Sequence, residues 1–226
     1  MGVGLASSQA RLYRQGTALA VVTAPLVFLV ANVLHPEEFG PDHEAAQLAE
    51  IAANYTTWQV AHFLTFASIV VFAAAVLGLA YLVRRARPQV GLVFGALALA
   101  GLFGLAFVVA LDGYTWAILG EVSAKPEADP ATVELALHDV QQASWSIPYY
   151  LTPLLFIIGL VVLAINAARQ ETVPFWTAAL FSLGVVMVGV EAEVQDNAYF
   201  IAAASVLFLG GAAMSAALWR AGDERF

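Results

Sequence analysis

The sequence predicts an all-α polytopic membrane protein, a six-transmembrane-helix bundle forming one membrane domain over residues 1–226. Three observations predict it. The first is six long apolar runs, lying roughly between Arg14 and His35, His62 and Arg84, Arg87 and Asp112, Tyr149 and Arg169, Glu171 and Glu191, and Asp196 and Arg220. Each is close to the ~20 residues an α-helix needs to cross a bilayer core ~30 Å thick. The second is composition: with 61% hydrophobic and 12% charged residues, there is too little polar surface to cover a water-soluble globule. The third is the placement of charge. Eight of the nine basic residues fall on one side of the runs, Lys125 being the exception. Because short Lys- and Arg-rich loops are retained inside, both termini are expected to be cytoplasmic, with the spans in the plasma membrane.

Several chemistries are excluded early. The chain has no cysteine, so disulfides, thiolate metal sites and thiol nucleophiles do not arise. It lacks the basic footprint of a nucleic-acid-binding protein. The first run follows Arg11 and Arg14 as a signal-peptide core would, but it is long for one and ends in His35-Pro36 rather than a small-residue cleavage site. It is read as a retained helix.

Taken in order, the elements are expected as follows. The first span covers about 15–35, with Pro36 and Pro41 at its exit. An outer helix over about 43–55 has Ala46, Leu48, Ala49, Ile51 and Ala52 spaced for one apolar face. The second span, 60–83, ends in Arg84, Arg85 and Arg87, and Pro88 opens the third, 89–112. Pro126 and Pro130 break the next outer loop before a helix over about 131–143. From Ala131 to Ala168 the pattern reads as one long helix, so Pro148, reinforced by Pro153, predicts a kink before the fourth span, 146–168. Pro174 sits near the start of the fifth span, 173–191, and the sixth covers 198–219. No motif is shared between the first three spans and the last three. The small residues Gly91 to Gly95 and Gly210-Gly211 allow close helix approach, either within the chain or in a dimer.

The cytoplasmic arginines also serve as a depth ruler. Counting ~20 residues outward at ~1.5 Å each places His35, His62, Asp112, Tyr149, Glu191 and Tyr199 near one outer level, with Asn32, Gln142, Ser146 and Asn197 within about two turns. Read blandly, these are interfacial residues whose polar heads reach water. Read functionally, they line a shared polar cavity open to the outside, since ionisable groups at membrane depth usually pair or serve a purpose. Asp112 favours the second reading because Gly-Tyr-Thr-Trp-Ala-Ile-Leu-Gly continues the apolar pattern beyond it. Trp58, His62 and Thr65 share a helix face, as do His138, Gln141, Gln142, Trp145 and Tyr149.

Residue types then constrain the chemistry. His62, Asp112, Glu191 and Tyr149 are the candidate catalytic groups. His35, His62, Asp112 and Glu191 are a candidate set for a divalent transition metal, although no HxxxH or HExxH spacing occurs. His138, Gln142, Asn32 and Tyr199 form a second line. Anionic ligands are disfavoured, since Lys125 stands alone among the outer acids. A haem held by His62 and His138 would need His138 brought down from roughly ~16 Å above Tyr149 on a straight helix.

Leu34-His35-Pro36 ending the first span, Trp58-Gln-Val-Ala-His62 opening the second and Asp112-Gly113 ending the third resemble a broad group of bacterial, especially actinobacterial, small six-helix membrane proteins. The resemblance implies six helices and directs attention to His35, His62 and Asp112; it implies no activity. Three functions remain open. One is a metal-dependent or acid/base enzyme acting on a lipid-like or small hydrophobic molecule. Another is a transporter component for a cation or neutral solute, which the apolar inner halves of the spans disfavour. The last is a haem- or quinone-binding or non-catalytic membrane subunit.

Overall fold

A computed structural model of the chain describes residues 2–36, 44–142, 146–190 and 197–221. These residues form eight α-helices and, among them, no strand: α1 (Gly2–Leu34), α2 (Glu44–Ala53), α3 (Tyr55–Ala86), α4 (Pro88–Ser123), α5 (Pro130–Gln142), α6 (Ser146–Arg169), α7 (Phe175–Gly189) and α8 (Asn197–Arg220). Five contain a stretch long and apolar enough to cross a bilayer: Ala10–Leu34, Tyr55–Ala86, Pro88–Ser123, Tyr150–Arg169 and Asn197–Arg220. The fifth expected span, 173–191, is represented by α7, an apolar helix of 15 residues. Helix α4 has 36 residues and runs on to Ser123, past the expected end of the third span at 112; Asp112 lies inside the helix, as the apolar pattern beyond it suggests.

Proline sets several boundaries. Arg87, held by Pro88 in an extended conformation (φ −135°, ψ 77°), separates α3 from α4. Pro174 is the N-cap residue of α7. Asp129 caps α5, whose first residue is Pro130, by accepting hydrogen bonds from the Thr132 hydroxyl (2.7 Å) and the Ala131 amide (3.4 Å). Those bonds hold its carboxyl below the usual range. Pro148 falls in the first turn of α6, where its missing N–H breaks no helical bond. The kink was expected near Pro148, where α5 and α6 meet; residues 143–145 of that junction lie outside the described residues.

Each long helix packs against its neighbour in the chain: α1 on α3, α3 on α4, α4 on α6, α6 on α7 and α7 on α8. Contact between α8 and α1 closes the ring, and α3 also touches α6 across it. Its interior is one apolar core that includes Val21, Phe72, Val76, Leu79, Leu160, Phe181 and Leu207. Close approach requires glycine at the crossings. A Cβ on Gly91 would lie 2.6 Å from the Ala80 carbonyl oxygen, and one on Gly211 would lie 2.5 Å from that of Val21. Both glycines therefore serve packing within the chain.

The Gly211 crossing has a local cause. Pro25, inside α1, has no N–H to offer the Val21 carbonyl. Gly211 packs against that oxygen and the proline ring.

Beyond the ring, the outer extensions of α3 and α4 carry a small cap. Ile51 of α2 is fully buried with Trp58 and Ala117, and Leu48 packs with Val133 of α5. The buried edge of α2 is thus Gln47, Leu48 and Ile51, whereas Ala46 and Ala49 remain exposed. Through Leu48 and Ile51 of its expected apolar face, α2 rests on α4 beside Gly120.

Candidate functional site

Three of the ruler's residues meet where α1, α3 and α4 converge, beneath the cap. His62 sits one turn after Trp58 on α3, and its Nδ1 lies 3.0 Å from the Trp58 carbonyl oxygen. A carbonyl only accepts hydrogen bonds, so Nδ1 carries the proton. The other ring nitrogen, Nε2, therefore faces Asp112 of α4, 3.6 Å from Oδ2. In a neutral ring Nε2 is an acceptor, and so is a carboxylate oxygen. A proton on either atom turns the repulsion between them into attraction.

The surroundings hold this pair in place. The Trp58 indole N–H donates to the Gly113 carbonyl at 2.9 Å, locking α3 to α4 one residue after Asp112. Gly113 has no side chain because the imidazole occupies that space: a Cβ there would lie 2.5 Å from His62 Cδ2. Aromatic contact completes the enclosure, with the His62 ring 4.3 Å from Trp58 and 5.2 Å from the His35 ring, centroid to centroid. The His62 side chain is 14% exposed and that of Asp112 38%. The pair is closed at the imidazole and open at the carboxylate.

His35 lies one residue beyond α1, and its Nδ1 is 3.0 Å from the Pro36 carbonyl. Burial pushes its pKa down to about 4, with the neighbouring His62 acting in the same direction. The Pro36 carbonyl also accepts from Asn197 Nδ2 at 3.2 Å, tying the start of α8 to the exit of α1.

The remaining expectations divide. Asn32 is buried one turn below His35 but donates to its own helix at the Phe28 carbonyl. The Tyr199 hydroxyl donates to the Met187 carbonyl at 2.9 Å, joining α8 to α7. His138 is exposed on α5. Glu191 and the side chains of Tyr149, Gln142 and Ser146 lie outside the described residues.

The metal reading gains no support from this arrangement. Among the described residues, no group of three or more His, Cys, Asp or Glu side chains could hold a metal ion. Of the proposed set, His35, His62 and Asp112 are described and Glu191 is not; His35 and His62 each place Nδ1 against a backbone carbonyl, with ring centroids 5.2 Å apart. Trp58 and Gly113, by contrast, were not candidates in their own right. Their signal was the four-residue spacing from Trp58 to His62 and the glycine directly after Asp112.

Gly113→Ala tests this local geometry. The added methyl is expected to push the imidazole off the Trp58 carbonyl and away from Asp112. In protein labelled with ¹⁵N-histidine, the wild type should show a His62 resonance with the proton on Nδ1, assigned by its loss in His62→Ala. The alanine variant should lose that pattern; an unchanged His62 signal would contradict the assignment.

No protein family, curated protein or solved structure matches the chain. The three short motifs that carry the resemblance to small six-helix membrane proteins nevertheless meet in space. His35, Trp58, His62, Asp112 and Gly113 form one cluster.

Proposed function

We propose that this is a multi-pass membrane enzyme whose outward-facing site performs acid/base chemistry on a neutral, lipid-like or small hydrophobic molecule. The observation that carries the reading is the His62–Asp112 pair, with Nδ1 secured by a backbone carbonyl and Nε2 directed at Oδ2 across 3.6 Å. A fixed imidazole beside an accessible carboxylate can accept a proton from a substrate hydroxyl or water and return it to a leaving atom. Mid-helix placement within an apolar bundle argues for purpose, because a carboxylate at membrane depth is costly without one.

In this reading α7 is the fifth of six spans. The arginine loops then lie in the cytoplasm, the cap faces outward, and the chain is a single membrane domain in the plasma membrane. Tyr149 and Glu191 stay candidates for the same acid/base role on their sequence positions alone. A neutral substrate fits the outer surface, where described acids such as Glu121, Glu127 and Asp129 are exposed. A solute pathway fits less well, since the core inward of the site is built from Phe72, Val76, Leu79 and Leu160.

The test is turnover by the purified protein in liposomes made from a total membrane lipid extract supplemented with neutral lipids, followed by mass spectrometry between pH 5 and 8. Wild-type protein is expected to deplete at least one neutral species and produce its product. An unchanged lipid profile throughout that range would overturn the proposal.

A further inference from the structure

The opposite, arginine-bearing end of the bundle carries a second polar arrangement, set where α6 meets the turn between α3 and α4. Asn166 of α6 is buried, with 6% of its surface exposed. Its Nδ2 donates to the Val162 carbonyl of its own helix at 2.8 Å, and its Oδ1 accepts from Arg87 Nη1 at 3.1 Å. One turn further along α6, the Gln170 side chain donates to the Val83 carbonyl, near the end of α3, at 3.3 Å. Two side chains of one helix thus fix the α3–α4 turn.

Four arginines belong to this junction. Arg84 and Arg85 lie in the last turn of α3, Arg87 separates α3 from α4, and Arg169 follows Asn166 by one turn on α6; all four are exposed. Among the described residues, no acidic side chain forms an ion pair with any of them. Retaining a loop in the cytoplasm requires only that the charge be present. It does not require a guanidinium held by a buried asparagine, a residue whose burial is costly unless its polar groups are bonded. Topology therefore accounts for the arginines but not for the Asn166–Arg87 bond. That bond holds one guanidinium at the α4–α6 crossing, one helical turn from Arg169.

We infer that this junction binds the headgroup of an anionic phospholipid, with Arg87 and Arg169 taking the phosphate and Arg84 and Arg85 supplying positive potential around it. A guanidinium presents a planar fork of donors that matches two phosphate oxygens. Leu92 and Val93, one turn into α4, are exposed and offer an apolar wall to the acyl chains. Each basic residue near the surface strengthens the attraction for an anionic lipid by roughly fivefold. A zwitterionic headgroup would bring its own cation against the same arginines and lose that gain. The inference rests on the membrane reading above and is independent of the outer site.

The experiment is native mass spectrometry of delipidated, detergent-solubilised full-length protein titrated with phosphatidylglycerol or phosphatidylcholine of identical acyl chains. Wild-type protein is expected to hold one phosphatidylglycerol about tenfold more tightly than phosphatidylcholine. Arg169→Gln, at an exposed position, should fold normally and lose most of that preference. Asn166→Leu keeps every charge while releasing Arg87, and it too should weaken the preference several-fold. If Asn166→Leu folds and keeps the full preference, the arginines act only as diffuse charge and the assignment is wrong. An unchanged preference in Arg169→Gln, or equal binding of the two lipids by wild-type protein, overturns it equally, whether or not Asn166→Leu folds. Glycerol phosphate, which has the headgroup chemistry without acyl chains, is expected not to displace the lipid; displacement would assign the site to a soluble phosphate instead. Flotation with phosphatidylcholine vesicles tests the membrane reading separately, and wild-type protein that fails to float would overturn that reading.

Discussion

Replacing Gly101 by alanine is expected to destabilise the protein by about 1–3 kcal/mol, the usual cost of forcing extra volume into a filled space. A Cβ at this position of α4 would lie 2.3 Å from the Phe156 amide nitrogen and 2.6 Å from the Thr152 carbonyl oxygen of α6. Both obstacles are backbone atoms, so no side-chain rotation relieves the overlap and the helices must separate. Separation propagates, because Gly159 of α6 makes the reciprocal approach to Phe94 and Ala98 of α4. Gly16→Ala is the matched control: nothing lies within 4 Å of its added methyl, and alanine is the better helix former by up to about 1 kcal/mol. Equilibrium unfolding in mixed micelles with increasing SDS should therefore move the two midpoints in opposite directions. Equal shifts would mean that α4 and α6 are not in contact at Gly101.

The helices were legible because their signals are local and repeated. An apolar run, a bounding arginine and a proline each act over one or two turns, and they place α6 and α8 within a residue or two of where they lie. The end of α4 was less legible, since Asp112 reads as a boundary when charge is taken to mark the edge of the membrane. Whether Gly91 and Gly211 served internal or intermolecular packing depended on which helix arrived opposite them, which the packing of α3 on α4 decides for the first and the closure of α8 onto α1 for the second.

The site shows the same division. Placing His35, His62 and Asp112 at one depth required only the rise of a helix, and they do lie together. Depth alone could not decide the direction of the ring nitrogens. That depends on the Trp58 carbonyl, one turn back, and on the absent side chain of Gly113, on another helix. A metal set and an acid/base pair share a composition and differ in how many such groups converge on one point, which spacing along single helices does not give.

His62→Ala and Asp112→Asn are each expected to lower turnover of the responsive neutral lipid by about 10²–10⁴-fold, the range associated with a positioned acid/base group. Their combination should be no worse than the more severe single change, because two groups that handle one proton fail together. Additive losses would instead mean that the residues act independently, for example by each holding a different part of the substrate. Asp112→Asn keeps the size of the side chain while removing its charge, so a folded but inactive variant separates chemistry from packing. Tyr199→Phe supplies the opposite control. It removes a hydrogen bond to the Met187 carbonyl between α8 and α7, which should cost about 1 kcal/mol of stability, and turnover per folded molecule should stay at the wild-type level. If Tyr199→Phe also abolished turnover, the reactive centre would extend to the α7–α8 side of the bundle. The His62–Asp112 pair would then be one part of a larger site.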